Sequence, residues 1–206
     1  GQIDGVLQDL RPATVKIGML FSPEIVHVVA DAFADYEGAV VLDPVMITKS
    51  GDALLQDAAI AALIEALIPR ADLLTPNLPE AARLLGMSEA LDLEQAETQG
   101  RALLALGPKA VLMKGGHSDS RICTDLLLIK GEETVQLSAP RVDTLNTHGT
   151  GCTYSASIAA CLAKGQPMPD AVRDAHSYLQ KAIHAADQLD IGAGHGPVHH
   201  FHAIWG

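Results

Sequence analysis

Short apolar segments alternate along this chain with segments in which apolar residues recur at helical spacing. Such alternation is typical of βαβ units, in which helices cover a mostly parallel sheet. The pattern predicts strands over 15–20, 39–42, 72–75 and 111–114, and helices over 23–36, 58–67, 79–85 and 93–106. It also predicts a β-hairpin from 124–129 and 134–137, followed by helices near 151–164 and 169–187. We therefore expect an α/β fold.

Polar or glycine-bearing clusters stand at the ends of four predicted strands. They are the segments 16–19, 42–45, 74–77 and 113–117. In open parallel sheets, ligands bind outside the carboxyl ends of the strands. The sequence therefore predicts a ligand site where these four clusters line one rim of the sheet.

Composition narrows the class of protein. The 206 residues are 48% hydrophobic but 3% aromatic, which suits one domain with an aliphatic core. A net charge of -11 with 14 scattered Lys and Arg residues argues against a nucleic-acid partner. The sequence has neither a run of about 18 apolar residues nor a leader pattern, so we expect a cytoplasmic protein with no membrane contact. Cys123, Cys152 and Cys161 lack CxxC spacing, which predicts free thiols.

The segment from His148 to Cys152 leads directly into a predicted helix. Backbone N–H groups of the turn through Gly149, Thr150 and Gly151 could converge on an anion, and the helix dipole would add positive potential. The same field would favour a thiolate at Cys152, so its sulfur could serve as a base or nucleophile. The pattern allows with equal weight a tight turn whose cysteine only packs. The other two cysteines are predicted to be structural.

Three further residues at strand ends carry candidate chemistry. Oxygens of Asn77 and Glu80, one helical turn apart, could organise hydrated Mg²⁺, although they could also simply cap a helix. Lys114 ends an apolar strand before two glycines, which favours a cation that reaches phosphate over a solvated charge.

Asp43, placed between an apolar run and Pro44, could hold a metal or substrate or could form only a turn. The histidines of 195–202 could bind a metal, but a folded C-terminal loop is favoured, because no matching cysteine or carboxylate spacing accompanies them. The sequence contains no GxxxxGK[ST] loop, so a kinase would have to align phosphates by other means.

Taken together, these motifs resemble the hydroxymethylpyrimidine and phosphomethylpyrimidine kinases of thiamine biosynthesis, within the ribokinase-like superfamily. The matching segments are 16–20, 43–45, 75–77 with Glu80, 114–117, 146–153 and 194–202, in family order over essentially the whole chain. The resemblance implies a three-layer α/β/α sandwich. It also implies ATP-dependent phosphorylation of 4-amino-5-hydroxymethyl-2-methylpyrimidine and then of its monophosphate.

The resemblance implies roles for individual residues. Cys152 replaces the catalytic Asp of most ribokinase relatives and would take the proton of the acceptor, while Gly149, Thr150 and Gly151 would cradle the transferring phosphoryl group. The remaining implied roles are Mg²⁺ organisation by Asn77 and Glu80, nucleotide binding by Lys114, Asn77, Thr147 and His176, and acceptor binding by Met19, Asp43 and Val45. A homodimer is also implied.

Two positions depart from the family pattern, since Leu145 and His176 stand where lysines are found or common. The family also begins with a further segment that contacts the pyrimidine, so we expect the single domain spanning 1–206 to be N-terminally incomplete.

Three alternatives remain open at this point: a pyridoxal-type kinase, a non-catalytic ligand-binding remnant, and a thiol hydrolase that uses Cys152 with His148.

Overall fold

Within residues 1–46, 55, 57–116 and 120–205, which the computed structural model describes, six strands form one sheet in chain order. Strands β1 to β4 run parallel, and β5 and β6 complete the sheet as an antiparallel hairpin. Their bounds are β1 Thr14–Ile17, β2 Ala39–Leu42, β3 Leu73–Leu74, β4 Ala110–Met113, β5 Ile122–Ile129 and β6 Val135–Pro140. The predicted mostly parallel sheet and the predicted hairpin are confirmed. His117, which closes the fourth cluster, lies outside the described residues.

The described part of the chain contains seven α-helices. They are α1 Gln2–Leu10, α2 Pro23–Ala32, α3 Asp57–Ala62, α4 Leu78–Leu85, α5 Leu93–Leu104, α6 Thr150–Ala163 and α7 Met168–His184. None of these helices has the length and apolar character needed to cross a membrane.

Two separate apolar cores lie on the two faces of the sheet, because successive strand residues point to opposite sides. On one face, Leu42 and Leu74 pack into the core that includes residues of α2, α3, α4 and α5. On the other face, Val41 and Leu73 pack with residues of α6 and α7, among them Ile158. Strands β2, β3 and β4 are therefore apolar at almost every position, as strands covered on both sides must be. The three-layer α/β/α sandwich is confirmed.

Several element bounds differ from the sequence prediction for local reasons. The helix predicted over 58–67 is α-helical only to Ala62 and continues as a π-helical turn, Leu63–Leu67, and a 3₁₀ turn, Ile68–Arg70. Pro69 lies within the 3₁₀ turn and cannot supply an N–H to a regular helix. Helix α1 was not predicted, although Ile3, Val6, Leu7 and Leu10 follow helical spacing. It buries none of its residues and contains Gly5, which disfavours a helix.

Candidate active site

The carboxyl ends of β1 to β4 bring three polar side chains together around Asp43. Lys114, which follows β4, places its Nζ 2.8 Å from Asp43 Oδ1, and the Thr75 hydroxyl after β3 donates to the same oxygen at 3.2 Å. Lys16, in β1, places its Nζ 3.9 Å from Asp43 Oδ2. The four strand ends therefore meet at one rim, as the sequence predicts.

Asp43 and Lys114 form a buried ion pair. Burial disfavours the charged form of Asp43, but the charges of Lys114 and Lys16 outweigh it and hold the pKa of this carboxyl below its ordinary value. Burial likewise acts against the charge of Lys114, and Asp43 with Glu80 reverses the effect, so the pKa of the ammonium is raised. Both partners are thus ionised at neutral pH. Removing either one would leave an unpaired buried charge, which is strongly destabilising.

Asp43 also forms the turn that the sequence allows, since the Val45 N–H donates to the Asp43 carbonyl at 2.8 Å. The two readings of Asp43 left open by the sequence are therefore compatible. Val45 is half-buried beside the carboxylate, and Met19 is 47% exposed beyond the end of β1. Both apolar side chains are accessible at the rim that carries the ion pair.

Helix α6 begins against this ion pair. Gly149 precedes the helix with φ 77, a left-handed conformation that glycine adopts without strain. A Cβ atom at Gly151 would lie 3.3 Å from Lys114 Nζ and 3.9 Å from Asp43 Oδ2, so glycine lets the helix start approach the pair. No side chain among the described residues caps α6. The positive dipole end of α6 therefore lies beside the ion pair, where it could bind an anion. The start of α6, residues 149–152, is here called the cradle.

Ser155 fastens this helix to the carboxylate. Its hydroxyl lies 3.1 Å from Asp43 Oδ2 and also within hydrogen-bonding distance of the Gly151 carbonyl, at 3.0 Å. The Thr150 hydroxyl donates to the Thr147 carbonyl at 2.7 Å and closes the turn before the helix. The cradle is consequently held from both the sheet and its own turn.

Cys152 lies in the first turn of α6 and its thiol is free and exposed. It is therefore not buried in aliphatic packing, the alternative that the sequence left open. Cys161 is only partly exposed and packs with the core beneath α6 and α7, as expected of a structural residue. Cys123 is also partly buried, and burial raises the pKa of its thiol.

Asn77 and Glu80 cap α4 reciprocally. The Glu80 N–H donates to Asn77 Oδ1 and the Asn77 N–H donates to Glu80 Oε2, both at 2.8 Å. Glu80 is 3% exposed, and burial raises the pKa of its carboxyl. The capping alternative is thus realised, and one Glu80 oxygen is engaged by the protein itself. No cluster of three or more His, Cys, Asp or Glu side chains suited to a metal occurs in the described ranges.

The segment 195–202, here called the C-terminal brace, holds the turn that precedes the cradle. The His148 N–H donates to the Gly196 carbonyl at 3.0 Å, and the Val198 N–H donates to the His148 carbonyl at 3.4 Å. The Gly196 N–H also donates to Asn146 Oδ1 at 3.0 Å. The brace is a folded loop, as predicted, and it fixes the backbone just before Gly149.

Two side-chain contacts connect the braced turn and the C-terminal brace to the helices. The Asn146 amide donates to Asp187 Oδ1 at 2.9 Å, beyond the end of α7. At the other end of the brace, His200 Nε2 lies 2.9 Å from the Thr153 hydroxyl in the first turns of α6. The histidines of the brace thus make contacts that support the cradle.

The nucleotide residues implied by the resemblance lie on different elements. Thr147 belongs to the braced turn, and Leu145 beside it is 73% exposed. His176 is half-buried on α7, with its ring centroid 6.1 Å from that of Tyr154. Lys114 also lies near the cradle, since a Cβ atom at Gly151 would be 3.3 Å from its Nζ.

Four site residues were not singled out from the sequence: Lys16, Ser155, Asp125 and Tyr154. Asp125 is buried in β5 and accepts a hydrogen bond from the Gly115 N–H at 2.8 Å, which fixes the turn after Lys114. Burial raises the pKa of Asp125, and burial with the charge of Asp125 raises that of Tyr154. A charged residue inside an otherwise apolar strand, as at Lys16 and Asp125, is the sequence signal that could have found two of them.

Comparison with known proteins identifies relatives of this arrangement. A sequence model described as phosphomethylpyrimidine kinase matches residues 1–199. A hydroxymethylpyrimidine/phosphomethylpyrimidine kinase from Rhizobium meliloti (strain 1021) is 50% identical over 204 residues, which cover 99% of this chain and 76% of the relative. A thiamine biosynthesis bifunctional protein ThiED from Geobacter sulfurreducens is 42% identical over 97% of this chain and 40% of that protein.

Solved structures show the same fold. The phosphomethylpyrimidine kinase from Clostridium difficile 630 superposes with a TM-score of 0.76 at 38% identity, covering 88% of this chain and 74% of that one. The pyridoxal kinase from Staphylococcus aureus in complex with AMP-PCP and pyridoxal gives a TM-score of 0.89 at 29% identity, covering 98% and 72% of the two chains. The ribokinase-like architecture is therefore confirmed.

The contacts of Gly196 yield a test of the C-terminal brace. A Cβ atom at Gly196 would lie 2.2 Å from Asn146 Oδ1, whereas one at Gly194 would meet nothing within 4 Å. We expect Gly196→Ala to release the turn 146–149 and Gly194→Ala to leave it unchanged. Amide hydrogen exchange of that turn should accelerate about fivefold or more in Gly196→Ala, as expected for a lost hydrogen bond worth about 1 kcal/mol. Equal exchange in the two variants would show that the brace does not hold the turn.

Proposed function

Because the chain belongs to the phosphomethylpyrimidine kinase family, we propose that it transfers the γ-phosphoryl group of ATP to 4-amino-5-hydroxymethyl-2-methylpyrimidine, and then phosphorylates the resulting monophosphate. Thiamine biosynthesis is the pathway named for the Geobacter relative. One observation carries the proposal beyond family membership: an ionised Lys114–Asp43 pair lies against the uncapped start of α6, and the first turn of that helix carries an exposed thiol.

This arrangement suits phosphoryl transfer, which depends mainly on alignment and on stabilisation of negative charge. The first N–H groups of α6 would bind the transferring phosphoryl group, and Lys114 would contact it from the β4 side. Fixed donors and charges of this kind need no reorganisation when charge develops in the transition state. The bonds from Ser155 and the C-terminal brace supply that fixation.

Cys152 is the proposed base of the first transfer. The acceptor hydroxyl oxygen would form a bond to the γ-phosphorus as the bond to ADP breaks, and the hydroxyl proton would pass to the Cys152 sulfur. The exposure of the thiol at the start of α6 supports this role, because an acceptor can reach it. Met19 and Val45 would bind the pyrimidine ring, and Asp43 would lie beside the reacting groups.

Mg²⁺, when bound, would neutralise part of the charge on the ATP phosphates. Asn77 and Glu80 would hold such an ion through intervening water, because the α4 capping bonds engage the single side-chain oxygen of Asn77 and one of the two oxygens of Glu80. Thr147, with His176 and Lys114, would bind the nucleotide. The neighbour from S. aureus was solved with the ATP analogue AMP-PCP, which supports the use of ATP.

The alternative functions fit less well. Pyridoxal kinase structures are similar in fold at 29% to 32% identity, whereas the pyrimidine kinase relative reaches 50% over nearly the whole chain. A thiol hydrolase does not agree with the kinase family. We further propose a homodimer as the assembly, following the superfamily resemblance.

The proposed activity can be tested by measuring ADP formation with each acceptor in turn. With ATP and Mg²⁺ present, we expect the protein to convert the hydroxymethylpyrimidine to its diphosphate and to release two ADP per pyrimidine. The phosphorylated products can be monitored by ³¹P NMR. Pyridoxal should be phosphorylated once per molecule at a lower rate, or not at all. A faster reaction with pyridoxal, or no ADP with the pyrimidine, would contradict the proposal.

The choice of a thiol at position 152 yields a second prediction. We expect Cys152→Asp to reduce kcat/KM for the monophosphate acceptor about tenfold more than for the free alcohol. The phosphate acceptor needs no base and can react beside a protonated, neutral thiol, whereas an Asp carboxylate there would repel it by about 1 kcal/mol or more. Cys152→Asn is the matched control, since it has a similar size and no charge, and it should affect both acceptors alike. Equal losses for the two acceptors in Cys152→Asp would count against this account of the thiol.

A further inference from the structure

Lys16 is a half-buried cation at the rim that the reaction as described does not use. Its side chain is 21% exposed, compared with 14% for Lys114. Val15 and Ile17, its neighbours in β1, pack into the core on the face away from α6. Lys16 therefore points to the sheet face that α6 covers, which is also the face of the Asp43 carboxylate.

The contacts of Asp43 divide unequally between the two lysines. Oδ1 accepts from Lys114 at 2.8 Å and from Thr75 at 3.2 Å. Oδ2 accepts from Ser155 at 3.1 Å, while Lys16 Nζ remains 3.9 Å away, beyond hydrogen-bonding distance. Lys16 thus makes no hydrogen bond to Asp43, whereas Lys114 is offset by both Asp43 and Glu80, so the ammonium of Lys16 keeps its donors for an anionic ligand.

The two lysines flank the cradle from opposite sides. Lys114 follows β4 and approaches Gly151 directly, beside Asn77 at the proposed nucleotide side. Lys16 lies in the edge strand β1, three residues before the exposed Met19 of the proposed acceptor side. The Asp43 oxygen nearest Lys16 is also 3.9 Å from the Cβ position of Gly151. The ammonium of Lys16 therefore lies at the border between cradle and acceptor.

Gly18 permits the present position of this ammonium. A Cβ atom at Gly18 would lie 2.7 Å from Lys16 Nζ. A lysine carries a compact charge on a flexible stem, so it can exchange a long contact with a carboxylate for a closer contact with phosphate.

The two successive acceptors differ in the charge they bring to this point. The first is a neutral alcohol that must lose a proton, whereas the second attacks through an oxygen of an anionic phosphate and must approach the phosphates of ATP. Like charges at such distances are costly unless a cation lies between or beside them.

We propose that Lys16 binds the phosphate of the pyrimidine monophosphate and so determines whether the second phosphorylation proceeds. This inference rests on the proposed function. Lys16 is needed less for the first transfer, because the free alcohol carries no charge for it to bind.

The test compares kcat/KM for the alcohol and for the monophosphate in Lys16→Met, Lys16→Arg and Lys109→Met. Lys109 is the matched control, since it pairs with Asp72 at 2.6 Å before β4, at the opposite end of the sheet. Lys16→Met should lower kcat/KM for the monophosphate about thirtyfold more than for the alcohol, as expected for a lost charged hydrogen bond. Lys16→Arg should preserve most of the discrimination, and Lys109→Met should change neither acceptor.

Calorimetric binding of the monophosphate without nucleotide separates this inference from the proposed function. Weaker binding by Lys16→Met, with unchanged binding by Lys109→Met, supports the inference even if turnover is absent. Equal losses on both acceptors, or unchanged monophosphate binding in Lys16→Met, would overturn the inference and leave the kinase assignment intact. A wild-type protein that phosphorylates neither acceptor and does not bind the monophosphate would overturn both.

Discussion

The site depends on one buried carboxylate, that of Asp43. Its two oxygens accept from Lys114, Thr75 and Ser155, and these residues belong to the ends of two strands and to helix α6. A single side chain thereby fixes the start of α6 against the rim of the sheet. The position of the anion cradle and of the thiol beside it follows from that attachment.

The same carboxylate sets the electrostatics of the rim. Because its pKa is held below the ordinary value, Asp43 stabilises the fold above the pKa of the unfolded chain, and this contribution is lost as pH falls through the folded value. Glu80 behaves in the opposite sense, since burial raises its pKa and its ionisation opposes folding as pH rises. Lys114 and Lys16 both lie beside Asp43, and Glu80 also acts on Lys114, so these two cations offset the buried carboxylates of the rim.

The fold follows from the sequence where apolar patterns are strong, and the site only in part. Strand β2 and the hairpin were predictable because buried runs and turn residues are local signals. The links from Ser155 to Asp43 and from Gly196 to Asn146 were not, since they join residues that are distant in sequence. For Asn77 and Glu80 the sequence left capping and metal organisation open, and the capping bonds are formed.

The charge state of Asp43 is the most direct measure of this account. Carboxyl carbons of ¹³C-labelled aspartate can be titrated by NMR, with the Asp43 signal assigned by its loss in Asp43→Asn. The account predicts a midpoint below the value of about 3.9 for an exposed aspartate. A midpoint above that value would show that burial outweighs the two lysines, and the ion pair could not then organise the rim.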